Sequence, residues 1–275
     1  MAGGKMGHPA GDRLLAVDVN ADPPLLLFHG WNGSSHNLSA WLPALAPHFN
    51  VIAPDLPGCA GVAPLGARHT ARAYARWARD LLVARRIERV AVGGLCSGTA
   101  IALAFAELAP EGVAALLLHT PFLRPALIRP LIRAQLAVLV SPAGMLWGPV
   151  RRSTTLAMLH RRLFAEAAQV DAEHLAHDQA DLLAANARAG RELARDLLFI
   201  DRTPTIAAWK GPVAVVLADH DAFVDTPRTV EALADLAPQT MLERFPGGHG
   251  WTPAYREHQH AALSRLAPQL RAAMA

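Results

Sequence analysis

The sequence is poor in cysteine and has no long apolar run. Its 275 residues include two cysteines, so at most one disulfide could form and a disulfide-stapled fold is excluded. The first twenty residues lack the apolar stretch of roughly 7 to 15 residues that a secretory signal needs. No segment reaches the ~18 uninterrupted apolar residues of a membrane span, because residues 134–150 are broken by prolines and glycines. We therefore expect a cytoplasmic protein with reduced thiols and no transmembrane segment.

The sequence also contains very little lysine. All but Lys5 and Lys210 of the 26 Lys and Arg residues are arginine, and the formal net charge is +3. In a chain with many alanines this bias is typical of genomic base composition, so we predict no nucleic-acid partner. The 52% of hydrophobic residues excludes disorder. The length suits one large domain or a domain with an inserted lid.

Short apolar runs alternate with longer amphipathic ones, which predicts a parallel sheet with crossover helices and an α/β fold class. Strands buried on both faces should be nearly all apolar. The predicted strands are Leu25–Phe28, Val51–Ala53, Val90–Val92, Val113–Leu118, Val213–Leu217 and Leu242–Phe245. The predicted helices outside the insertion are Thr70–Arg85, Ser97–Leu108, Pro227–Ala237 and Ala254–Met274.

The segment from about residue 121 to 208 breaks this rhythm, because it has helical patterns and no convincing strand. We predict a helical cap over 121–208, inserted into a core formed by 1–120 and 209–275. Residues 121–164 contain no Asp or Glu and carry +7, which leaves −4 for the remainder. This charge fits either a solvated helix face or a basic lid that receives an anionic amphiphile, such as an acyl group on coenzyme A, an acidic carrier protein or a lipid head group. The arginines are Arg124, Arg129, Arg133, Arg151, Arg152, Arg161 and Arg162.

The strongest local motif is the run from Val90 to Thr99, in which an apolar strand passes through Gly-Leu-Cys-Ser-Gly into a helix. A side chain displayed on so sharp a turn needs small neighbours two residues away on either side. Gly94 and Gly98 meet this need around Cys96, whereas Ser97 would be flanked by the bulkier Leu95 and Thr99. The motif therefore predicts Cys96 as a nucleophile.

With this motif the sequence resembles the α/β-hydrolase superfamily, whose elbow reads G-x-S-x-G, here with cysteine at the central position. The resemblance runs from about Leu14 to the end of the chain and implies a mostly parallel sheet with an inserted helical cap. The segments that match the family's other motifs are Leu25–Trp31, Val51–Gly58, Val216–Asp221 and Phe245–His249.

The resemblance implies a catalytic triad of Cys96, Asp221 and His249, in the family's order along the chain. Asp219 and Asp225 are rivals for the acid. His249 would take the thiol proton, and Asp221 would orient the imidazole. The N-terminus of the helix at Ser97 favours a thiolate, and the backbone amides of Trp31 and Ser97 would form the oxyanion hole.

Further residues are expected near the substrate. His29 is interpreted as bracing its loop rather than acting as a base, and it is also counted among the substrate-binding candidates. The other candidates are Trp147, Arg151, Arg152 and Trp251.

No metal site or cofactor is predicted. His258 and His260 are two apart on a helix and face different directions, and His174 and His177 beside Asp178 are interpreted as solvated polar residues. Cys59 is taken as a free thiol; the alternative is a disulfide to Cys96 that would inactivate the enzyme.

We expect an acyl enzyme that hydrolyses an ester, lactone or thioester with an apolar acyl group. A carboxylate nucleophile, as in haloalkane dehalogenases and epoxide hydrolases, is excluded at Cys96. Attack by sulfur gives a thioester, which also reacts with amines, alcohols and thiols, so an acyltransferase or cyclising enzyme is the first alternative. A non-catalytic binding member of the fold is the second.

Overall fold

A single sheet organises the molecule. The computed structural model describes residues 14–17, 22–146, 172–249 and 253–275. In these residues the strands are β1 (Leu14–Val17), β2 (Pro24–Phe28), β3 (Asn50–Pro54), β4 (Val90–Leu95), β5 (Val113–His119), β6 (Val213–Ala218) and β7 (Met241–Phe245). Their order is β1-β3-β2-β4-β5-β6-β7, with β1 antiparallel to β3 and the other neighbouring pairs parallel. The predicted α/β class is confirmed, although β1 was not predicted.

The central strands explain why short apolar runs identified the sheet. Every residue of β4, β5 and β6 is buried, as expected for strands covered by helices on both faces. The carboxyl ends of these parallel strands meet at one edge, where α/β sheets bind their ligands.

Helices of the described residues connect the strands. They are α1 (Leu42–Leu45), α2 (Ala71–Ala84), α3 (Ser97–Leu108), α4 (Pro130–Val140), α5 (Ala172–Ala184), α6 (Ala187–Phe199), α7 (Thr203–Ala208), α8 (Thr226–Leu236) and α9 (Pro253–Ala273). Thr70 caps α2 by accepting a hydrogen bond from the N–H of Ala73 at 3.1 Å. The four helices predicted outside the insertion are all present, within three residues at each end. No helix in the described ranges is both long enough and apolar enough to span a bilayer.

Helices α4 to α7 lie between β5 and β6, which are neighbours in the sheet. We call these four helices the inserted helices. The division of the chain into core and cap remains a prediction. Trp147, Arg151 and Arg152 lie outside the described residues.

Helix α6 is attached to the start of α2 by two carboxylates. Glu192 accepts hydrogen bonds from the backbone N–H of His69 at 2.8 Å and from its ring Nδ1 at 3.1 Å. Asp196 accepts one from the N–H of Ala71 at 3.3 Å and pairs with the guanidinium of Arg202. Arg202 and Asp196 are both nearly buried, so their charges depend on each other.

Helix α5 contacts the loop that follows β2. The hydroxyl of Ser34 donates to Asp181 at 2.5 Å, and the amide of Asn37 donates to Asp178 at 3.1 Å. His177 is exposed, as expected for a solvated residue, and its ring stacks on that of His36 with centroids 4.1 Å apart. Carboxylates and an imidazole stack thus bond α5 and α6 to residues that precede β4.

The hydrogen bonds of Glu192 to His69 and Arg188 should make the free energy of unfolding depend on pH below about pH 4.5. Burial alone would raise its pKa, but the backbone N–H of His69, Arg188 and the His69 ring lower the pKa to about 2. Because the pKa is depressed in the folded state, the contribution is present above about pH 4.5 and is lost as the pH falls towards 2. In urea unfolding at several pH values, Glu192→Gln should therefore lose less stability than the wild type over this range.

The exposed Glu107 on α3 offers a matched control. Glu107→Gln should follow the wild-type pH dependence. If Glu192→Gln and the wild type lose equal free energy of unfolding between pH 4.5 and pH 2, the contact does not stabilise the protein in the way described.

Candidate active site

Cys96 lies on a strained turn between β4 and α3. Its φ is 56° and its ψ is −120°, in a region that residues other than glycine rarely adopt. Its backbone N–H donates to the carbonyl of His119 at 3.0 Å, which ties the turn to β5. The residue is 7% exposed, at the carboxyl edge of the sheet.

The glycines around Cys96 are required by close backbone approach. A Cβ atom at position 94 would lie 2.3 Å from the carbonyl carbon of Gly98, and one at position 98 would lie 2.2 Å from the carbonyl oxygen of Phe28. No side chain fits at either position without moving the backbone. Cys96 is therefore the residue displayed at the turn, and Ser97 is the first, buried residue of α3.

His249 and Asp221 come together beside this turn. Nδ1 of His249 and Oδ2 of Asp221 are 2.9 Å apart. The other oxygen, Oδ1, accepts hydrogen bonds from the N–H groups of Phe223 at 2.7 Å and Val224 at 2.9 Å. The ring of Phe223 packs on the imidazole with centroids 4.0 Å apart. The carboxylate is almost fully buried, so its charge is compensated by these three donors.

The rival carboxylates have other partners. Asp219 accepts a hydrogen bond from Arg244 at 2.8 Å on the exposed side of the sheet. Asp225 caps α8 by accepting from the N–H of Arg228 at 3.2 Å. Of the three candidates, the structure brings Asp221 to the histidine.

The charges of the pair stabilise each other. Burial would lower the pKa of His249, but the charges of Asp221 and Cys96 and the hydrogen bonds to both side chains raise the pKa to about 10. Burial would likewise raise the pKa of Asp221, but the charge and hydrogen bond of His249, with the two backbone N–H groups, hold it below its ordinary value. The arrangement favours an imidazolium that faces the sulfur of Cys96 and is supported from behind by a carboxylate.

The loop after β2 lies against the same turn. A Cβ atom at position 30 would lie 3.6 Å from Cβ of Cys96, so Trp31 directly follows a residue that lies close to Cys96. The indole N–H of Trp31 donates to the carbonyl of Gly190 in α6 at 2.8 Å. Ser97 begins α3, where the first backbone N–H groups have no acceptor within the helix. These positions suit Trp31 and Ser97 as donors to an oxyanion.

His29 is occupied within its own loop. Its Nε2 accepts a hydrogen bond from the N–H of Leu56 at 3.0 Å, so the ring proton is on Nδ1, which lies 2.9 Å from the carbonyl of Gly30. Burial lowers the pKa of His29, which keeps the ring neutral. The contacts match a bracing role, and they leave neither ring nitrogen available to a substrate.

Both cysteines are free thiols. Cys59 is buried, and burial followed by the charges of Asp55 and Asp181 raises its pKa to about 12. A thiol held in its neutral form is a poor nucleophile. Burial thus keeps the Cys59 thiol in its neutral form.

Sequence reasoning missed two residues of this site, His119 and Thr120. The hydroxyl of Thr120 lies 3.3 Å from Oδ2 of Asp221 and 3.1 Å from Nδ1 of His119. Both residues directly follow the predicted strand Val113–Leu118. The sequence did carry a signal for them, because polar residues at the carboxyl end of a strand next to the strand of Cys96 are expected to lie near the site.

Some predicted site residues are not covered. Trp251, like Trp147, Arg151 and Arg152, lies outside the described residues. Within the described ranges, no group of three or more His, Cys, Asp or Glu side chains is arranged to hold a metal ion.

Comparison with known proteins relates this geometry to a family. A family model described as the alpha/beta hydrolase fold matches residues 23–251. Among curated proteins, the chain is 38% identical over 100 residues to the uncharacterized protein Rv2715 of Mycobacterium tuberculosis, covering 36% of this chain and 29% of that protein. It is 34% identical over 96 residues to the soluble epoxide hydrolase of Corynebacterium sp., covering 35% of this chain and 34% of that protein. Each match thus spans about a third of the relative's length.

A solved structure agrees over nearly the whole chain. A thermophilic esterase from Thermogutta terrifontis has a TM-score of 0.74 at 23% identity, covering 95% of this chain and 94% of the esterase. At this identity the likeness is one of fold. Because the family model matches most of the chain, this protein belongs to the α/β-hydrolase fold family.

Proposed function

We propose that this protein is an acyl enzyme that hydrolyses an ester, lactone or thioester through a Cys96, His249 and Asp221 triad. One observation carries the proposal: Cys96 on its strained turn lies beside His249, and His249 is hydrogen-bonded to the buried Asp221. A nucleophile, a base and a group that orients the base are the parts that acyl transfer needs.

The first half of the reaction acylates the enzyme. Nε2 of His249 holds the proton of the thiol as an imidazolium, and the thiolate sulfur forms a bond to the substrate carbonyl carbon. The negative charge on the carbonyl oxygen is stabilised by the backbone N–H groups of Trp31 and Ser97. Collapse of this intermediate breaks the bond to the leaving alcohol or thiol, which takes the proton from His249 and leaves a thioester on Cys96.

The second half releases the acid. A water molecule gives a proton to His249 as its oxygen bonds to the thioester carbonyl carbon. Collapse then expels the sulfur of Cys96, which recovers the proton from His249, and a carboxylic acid leaves. Asp221 keeps Nδ1 protonated throughout, so that Nε2 alone exchanges protons.

The surroundings favour an apolar acyl group. Phe223 packs on the His249 ring. The backbone N–H of Phe122 donates to the hydroxyl of Thr99 at 3.0 Å, and that hydroxyl donates to the carbonyl of Cys96, so Phe122 lies close to the turn. The aromatic ring beside the base suits a hydrocarbon portion rather than a charged one. Linkage of the acyl group to coenzyme A or a carrier protein stays a prediction of the sequence.

Acyl transfer to an acceptor other than water is the second candidate, because the nucleophile is sulfur. A thioester has a less resonance-stabilised carbonyl than an oxygen ester, so amines and thiols compete well with water for it. The alternative and the main proposal share every step up to the acyl-enzyme.

Replacing the nucleophile tests the main proposal. Cys96→Ala removes the sulfur that forms the thioester, so kcat/KM for a short-chain p-nitrophenyl ester should fall by at least about 10³-fold. Intact mass spectrometry after brief incubation should show one acyl group on the wild type and none on Cys96→Ala. Cys59→Ala removes the other thiol and should keep both the turnover and the acyl adduct. Wild-type turnover in Cys96→Ala would overturn the triad.

Replacing the acid tests the role of the buried charge. In Asp221→Asn the amide can turn its NH₂ towards Nδ1 of His249, which leaves the proton on Nε2 and removes the base. We expect kcat/KM to fall by about 10³- to 10⁴-fold. Asp219→Asn, in an exposed ion pair with Arg244, should stay within about twofold of wild type. Equal losses in the two variants would contradict the assignment of the acid.

The ratio in which the acyl-enzyme reacts with water or with another acceptor distinguishes the hydrolase from the acyltransferase. With hydroxylamine present, a transferase that admits amine acceptors should yield mainly the hydroxamate, and a site reserved for water should yield free acid. Product analysis by mass spectrometry at fixed ester concentration gives the ratio. Free acid alone, over a wide range of acceptor concentrations, would count against the transferase.

A further inference from the structure

The dipeptide His119–Thr120, at the end of β5, connects the strand of the nucleophile with the strand of the acid. The carbonyl of His119 accepts a hydrogen bond from the N–H of Cys96 at 3.0 Å. The N–H of Thr120 donates to the carbonyl of Val216 in β6 at 2.9 Å. One short segment is thus bonded to the turn that carries Cys96 and to the strand that precedes Asp221.

Thr120 has an unfavourable backbone conformation. Its φ is 52°, in the left-handed region, which is a rare place for a β-branched residue. The residue is fully buried, so the surrounding structure must compensate the strain. Cys96 on the neighbouring strand end also has a positive φ, of 56°. Strained residues at the ends of two neighbouring strands are typical of functional sites rather than of ordinary strand ends.

The hydroxyl of Thr120 has a defined direction. It lies 3.3 Å from Oδ2 of Asp221, the same oxygen that meets Nδ1 of His249. A carboxylate only accepts, so the hydroxyl donates to Asp221 and its oxygen accepts from Nδ1–H of His119 at 3.1 Å. Each oxygen of the acid then has two donors, because Oδ1 already accepts from two backbone N–H groups.

His119 is suited to orient this hydroxyl because it stays neutral. Burial, followed by the charge of His249, lowers its pKa to about 3, against the opposing effect of Asp221. The ring is sandwiched near Trp41 and Phe245, with centroids at 5.0 and 5.8 Å. Nε2 has no hydrogen-bond partner within the described residues. A neutral, packed ring with its proton on Nδ1 leaves the Thr120 hydroxyl free to donate to the acid alone.

We propose that Thr120 is a positioning residue of the triad, which holds Oδ2 of Asp221 towards Nδ1 of His249, and that His119 sets the direction of its hydroxyl. The inference rests on the proposed function, since it extends the same Cys96, His249 and Asp221 site. The hydroxyl of Thr120 meets the triad at Oδ2 of Asp221. It acts through the carboxylate.

Substitution at position 120 separates this role from packing. Thr120→Val keeps the shape and removes the hydroxyl, so kcat/KM should fall by about tenfold, the effect of one hydrogen bond to a charged group. Thr120→Ser keeps the hydroxyl and should stay within about twofold of wild type.

The pH profile gives a second readout. The titrating groups around the hydroxyl are Asp221, His249, His119 and, beyond His249, Cys96. The acid limb of kcat/KM against pH should move to higher pH in Thr120→Val and stay in place in Thr120→Ser, because Asp221 loses a donor only in the former.

Thr229→Val is the matched control, since the buried hydroxyl of Thr229 donates to the carbonyl of Asp225 within α8. It should leave kcat/KM and the acid limb unchanged, whatever its melting temperature. If Thr120→Val behaves like Thr229→Val while Cys96→Ala is inactive, the positioning role is wrong and the proposed function stands. If Cys96→Ala is active, the proposed function itself is wrong.

Should Thr120→Val fail to fold, His119 provides a second comparison. Asn at position 119 retains an N–H donor near the place of Nδ1, whereas Leu has none. The acid limb should move in His119→Leu and not in His119→Asn. Identical pH profiles for these two variants would overturn the role of His119 and the proposed direction of the hydroxyl.

Discussion

At the carboxyl end of β4 the backbone reverses from strand to helix in one residue, and at positions 94 and 98 it passes too close to other backbone for any Cβ atom. The resulting strain at Cys96 is compensated by the burial of β4 and by the hydrogen bond to His119. This turn directs the side chain of Cys96 to the edge of the sheet where Asp221 follows β6 and His249 follows β7. The rest of the candidate site depends on it, because a strand that continued straight would bury the sulfur in the sheet.

Next to this turn, several hydrogen-bond donors stabilise the buried carboxylate of Asp221. Asp221 would be costly to bury alone, and two backbone N–H groups, His249 and Thr120 supply its hydrogen bonds. The carboxylate in turn raises the pKa of His249, which burial by itself would lower. Cys96, His249 and Asp221 therefore form one electrostatic unit.

The inserted helices also belong to the site. Through the carbonyl of Gly190, α6 holds the indole of Trp31, whose backbone N–H is a proposed oxyanion donor. The same helix is bonded to the start of α2 through Glu192 and Asp196. Four acidic residues of these helices, Asp178, Asp181, Glu192 and Asp196, accept hydrogen bonds from residues that precede β4, whereas residues 121–164 carry only positive charge. The two parts of the insertion thus differ in charge, and both are attached to the rest of the chain, since the N–H and the guanidinium of Arg129 donate to the carbonyls of Phe223 and Val224.

Local chemistry made much of this protein predictable from its sequence. Apolar runs such as Val113–Leu118 identified the strands because their burial on both faces leaves no polar alternation, and Gly94 and Gly98 identified the elbow because a close backbone approach excludes side chains. The sequence could not distinguish Asp221 from Asp219 and Asp225 by local pattern, nor indicate that Thr120 meets the acid across 101 positions of chain. Those pairings were decided by the order of β4, β5 and β6 in the sheet, since hydrogen bonds between distant segments depend on which strand ends become neighbours.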